Sequence, residues 1–118
     1  MHNFVSKLQF RIVVGNSSST AQYEELTLMV MAHDKQDAYR KLQVIGHQNE
    51  DEFLNRGSNS VCWKFMGVTH LERIGDISDG TILFSELKDD YSEEQLTVIH
   101  QRIRKMEEKT LSVPLYNN

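Results

Sequence analysis

Three stretches of the chain alternate apolar and polar side chains with a period of two, and this periodicity constrains the fold more than any other feature. Leu8, Phe10, Ile12 and Val14 alternate with Lys7, Gln9, Arg11 and Val13, and Leu26, Leu28, Val30 and Ala32 alternate with Thr27, Met29, Met31 and His33. Val61, Trp63 and Phe65 alternate with Cys62, Lys64 and Met66. Successive side chains of a strand point to opposite faces, so each run reads as a strand with one buried face. The small, polar stretch 15–20 joins the first two into a long antiparallel hairpin. The third run continues through Val68, Leu71 and Ile74 with a change of phase near Gly67, which predicts a β-bulge. The turn Gly75-Asp76-Ile77-Ser78-Asp79-Gly80 then leads into Thr81–Leu87, which reads as a returning strand and completes a second hairpin.

Between the hairpins the period changes to that of a helix. Asp34 is placed to accept backbone N–H groups of a first turn, and Asp37 adds negative charge at the positive end of the dipole. Ala38, Leu42, Ile45, Asn49 and Phe53 recur at helical spacing with Tyr39 beside them, predicting a helix over 35–54. Gly46 costs such a helix about 1 kcal/mol relative to alanine. Asn55-Arg56-Gly57-Ser58-Asn59 supplies its stop and a turn. A second helix opens at Ser92 and Gln95, a capping-box pair, with Leu96, Ile99, Ile103 and Met106 on one face. Glu93 and Glu94 lie at its positive end, and Arg102, Arg104, Lys105 and Lys109 lie toward its negative end. The tail 111–118 is apolar for a chain end, with Leu111, Val113, Leu115 and Tyr116.

The predicted order is β-β-α-β-β-α. Its simplest solution is a two-layer α+β domain in which a four-stranded antiparallel sheet carries both helices on one face. A length of 118 residues suits a single domain spanning 1–118 and leaves no room for a separate substrate domain. With 39% hydrophobic and 25% charged residues, the chain has the composition of an ordinary folded globule.

The net charge of −4 is concentrated in one place. Residues 72–90 hold Glu72, Asp76, Asp79, Glu86, Asp89 and Asp90 against only Arg73 and Lys88, and the rest of the chain is neutral. A domain without a basic patch fits poorly on phosphate backbones, so nucleic acid is not the expected partner. The longest apolar run, Leu28–Ala32, is far short of the roughly 20 residues that span a bilayer, so no membrane partner is expected. The first residues lack the basic start, apolar core and cleavage site of a secretory signal, and a cytoplasmic location is the expectation. Cys62 is the only cysteine, which forbids an internal disulfide and any zinc site built on paired cysteines.

No catalytic or metal motif emerges, and neither a cofactor nor a metal is expected. A calcium loop with Gly80 in its sixth position and Glu86 in its twelfth would place Gly75 and Ile77 where carboxylates are required. Cys62 and His70 share a strand face but stand about 26 Å apart at a rise of roughly 3.3 Å per residue. His2, His33, His47, His70 and His100 never take the spacing of a helical zinc motif. Cys62 lies mid-strand without a base to activate it, no nucleophile elbow surrounds any serine, and the stretch from Gly15 to Thr20 leads into a strand rather than a phosphate-binding helix. Glu24, Glu25, Glu72, Asp76 and Glu86 would serve acid–base chemistry only if the hairpins brought them together, and their plain reading is solvated surface. Trp63 and Phe65 read as core before they read as a stacking platform. The stripe on the last helix suits packing on a sheet and equally a helix pair across a dimer axis.

The sequence Trp63-Lys64-Phe65-Met66-Gly67-Val68, followed by Leu71, Gly75-Asp76 and Asp79-Gly80-Thr81-Ile82-Leu83-Phe84-Ser85-Glu86-Leu87, resembles an uncharacterised bacterial family, the domain of unknown function numbered four thousand two hundred and eighty-eight. The start at Lys7–Ile12, the helix opening at Ala38 and Phe53-Leu54-Asn55-Arg56 fit the same pattern, so the resemblance covers roughly residues 7–88. It implies a small bacterial domain and assigns no catalytic residue. The expectation is a cytoplasmic protein-interaction module, either a homodimer or the partner of a basic protein. Its contact surface would be the acidic hairpin of Glu72, Asp76, Asp79, Glu86, Asp89 and Asp90. The alternatives are an immunity-like or antitoxin-like inhibitor of a basic active site, and a small carboxylate-dependent enzyme.

Overall fold

The structure, a computed structural model, describes residues 1–15 and 21–111. The apolar tail positions Val113, Leu115 and Tyr116 and most of the loop from Gly15 to Thr20 lie outside the described residues. The chain groups into two units, Met1–Phe84 and Ser85–Asn118.

The first unit holds strands β1 (His2–Val14), β2 (Gln22–Ala32), β3 (Asp51–Leu54) and β4 (Ser60–Ile74) and helix α1 (Lys35–Gln48). The strands form one antiparallel sheet in the order β2-β1-β4-β3. With α2 (Glu93–Leu111) of the second unit, the element order is β-β-α-β-β-α and the fold is α+β, as the periodicities predict. The alternation in β1 sends Phe4, Leu8 and Phe10 to one face, where α1 covers them with Ala38 and Leu42. Val30 and Ala32 of β2 close the core, and Leu26, Leu28, Ile45, Phe65, Val68 and Leu71 pack around it. Ser6 is the one buried polar side chain among the described residues, and its hydroxyl donates to the Leu28 carbonyl at 3.3 Å.

The caps form as their sequences require. Asp34, in an extended conformation, accepts the Asp37 N–H at 2.8 Å, and Asp37 in turn accepts the His33 N–H at 3.0 Å. At α2 the Ser92 N–H donates to Gln95 Oε1 at 2.8 Å while the Gln95 N–H donates to Ser92 Oγ at 3.1 Å. The change of phase in β4 resolves into two bulges. The register on β1 skips Met66 and then Thr69, one on each side of Gly67, whose φ of 154° favours glycine.

Two expectations fail, each for a physical reason. The helix predicted over 35–54 ends at Gln48: the side-chain amide of Asn49 takes the Ile45 carbonyl at 2.8 Å, and the Glu50 N–H drops to the His47 carbonyl at 3.2 Å, an i→i−3 bond in place of the helical one. Asp51–Leu54 then leaves as β3, so Phe53 is an exposed strand residue and Asn49 a cap rather than members of a buried helix face. The predicted turn at Asn55–Asn59 is present but joins two strands, with Asn55 Oδ1 accepting the N–H groups of Gly57 and Asn59. The second hairpin is therefore β3–β4. Thr81–Leu87 forms no strand: the chain after Ile74 lays Phe84 on the face of the sheet, against Lys7 and His70, rather than along the edge of β4 that β3 leaves open beyond Trp63.

Candidate functional site

The alternation that buries Phe4, Leu8 and Phe10 sends Val5 and Lys7 to the opposite face of the sheet. There Lys7 pairs in register with His70 and Val5 with Glu72, while Glu25 projects from β2 beside them. The chain leaving β4 turns back onto this face. Asn3 Nδ2 donates to the Gly75 carbonyl at 3.2 Å, and a tight turn follows in which Thr81 Oγ1 accepts the Ser78 N–H at 2.8 Å. The return delivers the Phe84 ring onto Lys7 and His70.

Lys7 Nζ lies 3.6 Å from the centroid of the Phe84 ring and 3.2 Å from Glu25 Oε1. Its side chain is 17% exposed, so the ammonium exchanges part of its hydration for a carboxylate and a ring face, an arrangement worth about 0.5–1 kcal/mol for the ring alone. His70 meets the same ring edge-on at 4.6 Å. Its Nε2 is buried and makes no hydrogen bond, because Glu72 Oε2, although only 3.4 Å away, is out of line. The cluster clasps the 75–84 return to the sheet. The cluster is not legible in the sequence, where Lys7 reads as an ordinary solvent-side strand residue, His70 as a lone histidine without metal-ligand spacing, and Phe84 as a strand residue.

Of the six acidic residues singled out from the sequence, Glu72, Asp76 and Asp79 lie in the first unit and Glu86, Asp89 and Asp90 in the second. Glu72 lies on the sheet face beside His70, and Asp76 lines a shallow cleft of about 350 Å³ with His2 and Arg73. Asp79 sits in the exposed turn, and Glu86, Asp89 and Asp90 belong to the second unit. Glu24, paired with Phe10, faces the α1 side while Glu72, paired with Val5, faces the other, so these two carboxylates share no cleft. Among the described residues no three His, Cys, Asp or Glu side chains come together as a metal site. None of the helices there is long and apolar enough to cross a membrane. Phe65 packs on the core as a tilted partner of Phe10 at 5.5 Å, rather than presenting a free stacking surface.

Two carboxyl groups are held below their usual range. Glu50 accepts from His47 Nδ1 at 3.1 Å, the larger cause, and from the Phe65 N–H at 3.0 Å, a sheet donor that short β3 leaves open. For Asp37 the His33 N–H is the main cause, aided by the charges of Lys41, His33 and Arg40.

In the second unit α2 carries Leu96, Ile103 and Met106 on one stripe, all exposed, with Ile99 half-buried between them. No residue of α2 is buried, and a single helix has no means of covering its own stripe.

No curated protein and no solved structure matches the chain. The family model described as Domain of unknown function (DUF4288) matches residues 3–85, which takes in α1, the Phe84 clasp and all of the sheet but His2. The chain belongs to that family.

Proposed function

We propose that the chain is a small cytoplasmic interaction module from a bacterium. In this reading it associates with itself and offers Glu72, Asp76, Asp79, Glu86, Asp89 and Asp90 to a basic protein. One observation carries the contact surface: Asp76, Asp79, Glu86, Asp89 and Asp90 are all exposed and have no ion-pair partner among the described residues. Uncompensated surface charge of one sign speeds encounter with the opposite sign and selects among partners. The single cysteine, which forms no disulfide, is in keeping with a reducing compartment.

A lysine-rich peptide is the probe. Binding measured by titration at low ionic strength should weaken at least about tenfold when these five residues are changed together to Asn or Gln, and should weaken with added salt. Equal binding by the parent and the neutralised chain overturns the contact surface. Sedimentation of the full chain tests self-association separately, and a monomer mass at every concentration overturns that part.

A further inference from the structure

We propose that α2 is the element through which the chain self-associates, pairing in parallel with α2 of a second copy. This inference rests on the self-association in the functional reading above. Leu96, Ile99, Ile103, Met106 and Thr110 recur at alternating spacings of three and four, the seam of a two-stranded coil, with Leu96, Ile103 and Thr110 at one core position and Ile99 and Met106 at the other. In this frame the outer positions hold Thr97, Gln101, Arg104, Lys105 and Glu108, together with the exposed apolar Val98 and Leu111.

The flanking charges select both the occupant and its direction. Arg102 falls at the position that, in a parallel pair, faces a residue five further along the second helix, which is Glu107. Two-fold symmetry makes that attraction twice. An antiparallel pair aligned on the same seam sets Arg102 against the second copy's Arg102 and Glu93 against its Glu107, like charges in both cases. The stripe is therefore self-complementary in one orientation only. The reciprocal cap of Ser92 and Gln95 fixes where the helix begins, and no described residue of α2 is committed to a core.

The test uses the full chain in sedimentation equilibrium, with far-ultraviolet circular dichroism to confirm that each variant is folded. The parent should have a dimer mass. Ile103→Asp should be monomeric at the same concentrations. Arg102→Glu and Glu107→Arg should each weaken the dimer by about tenfold, and the double exchange should restore it, since the pair is then merely reversed. In a Cys62→Ser background, Met106→Cys should oxidise to a cross-linked dimer, because equivalent positions meet only in the parallel arrangement. A monomeric parent overturns this proposal together with the self-association in the functional reading. A dimer indifferent to Ile103→Asp leaves self-association standing and overturns the assignment to α2. A four-chain mass, or a dimer that neither recovers on the double exchange nor cross-links through Met106→Cys, overturns the parallel pair.

Discussion

A Cβ placed on Gly46 would lie 2.5 Å from Cε1 and Cζ of the Phe65 ring, closer than any carbon contact tolerates. The helix thus meets the sheet through a residue with no side chain, and the Phe65 ring occupies the vacated space beside His47, 5.2 Å away and edge-on. Helix propensity alone predicts that alanine at this position would gain about 1 kcal/mol. The ring reverses the sign: Gly46→Ala should lose about 1–3 kcal/mol through overpacking. Urea denaturation measures it, and a raised midpoint would refute the close approach.

Removing the Phe84 ring should release the clasp on the second face of the sheet. Phe84→Ala loses the ring that Lys7 and His70 share and uncovers part of the sheet, for about 1–2 kcal/mol. Cleavage within 75–84 by a low concentration of protease should accelerate in step. An unchanged cleavage rate would show that the return is held by other contacts.

The two depressed carboxyl groups set a direction for acid unfolding. Glu50 and Asp37 have lower values folded than unfolded, so their contribution is present above the ordinary carboxylate range and is lost as pH falls from that range through the depressed folded values. Glu50→Gln should therefore be less stable than the parent near neutrality, and the two should converge in acid. Denaturation at a series of pH values checks this, and a constant difference across the series would contradict it.

Asp34 holds the first turn of α1 through its bond to the Asp37 N–H. Asp34→Ala should cost about 1 kcal/mol, whereas Asp34→Asn or Asp34→Ser should cost much less, because either side chain still offers an oxygen to the turn. Thermal melts of the three variants would separate a capping role from a general effect of charge.

What could be read from the residues was what neighbouring residues decide among themselves. The alternation of β1 and β2, the cap at Asp34, the reciprocal pair Ser92 and Gln95, and the phase change at Gly67 each depend on a few adjacent positions. What could not be read depended on distant pairing. Asp51–Leu54 continues a helical spacing in sequence and becomes a strand only because Ser60–Trp63 offers it an edge. Thr81–Leu87 has the composition of a strand and remains unpaired because the chain after Ile74 brings Phe84 onto the face of the sheet rather than along the open edge of β4. The same limit governs the functional groups. The α+β class, the helix starts and the concentration of negative charge in 72–90 are legible in the residues alone, since propensity, capping and charge are local properties. That Lys7, His70 and Phe84 meet, and that Glu24 and Glu72 face opposite sides of the sheet, follows from pairing at a distance. Lys7 is separated from the other two by most of the first unit in sequence, and strand register together with the chain reversal after Ile74 brings the three within contact distance.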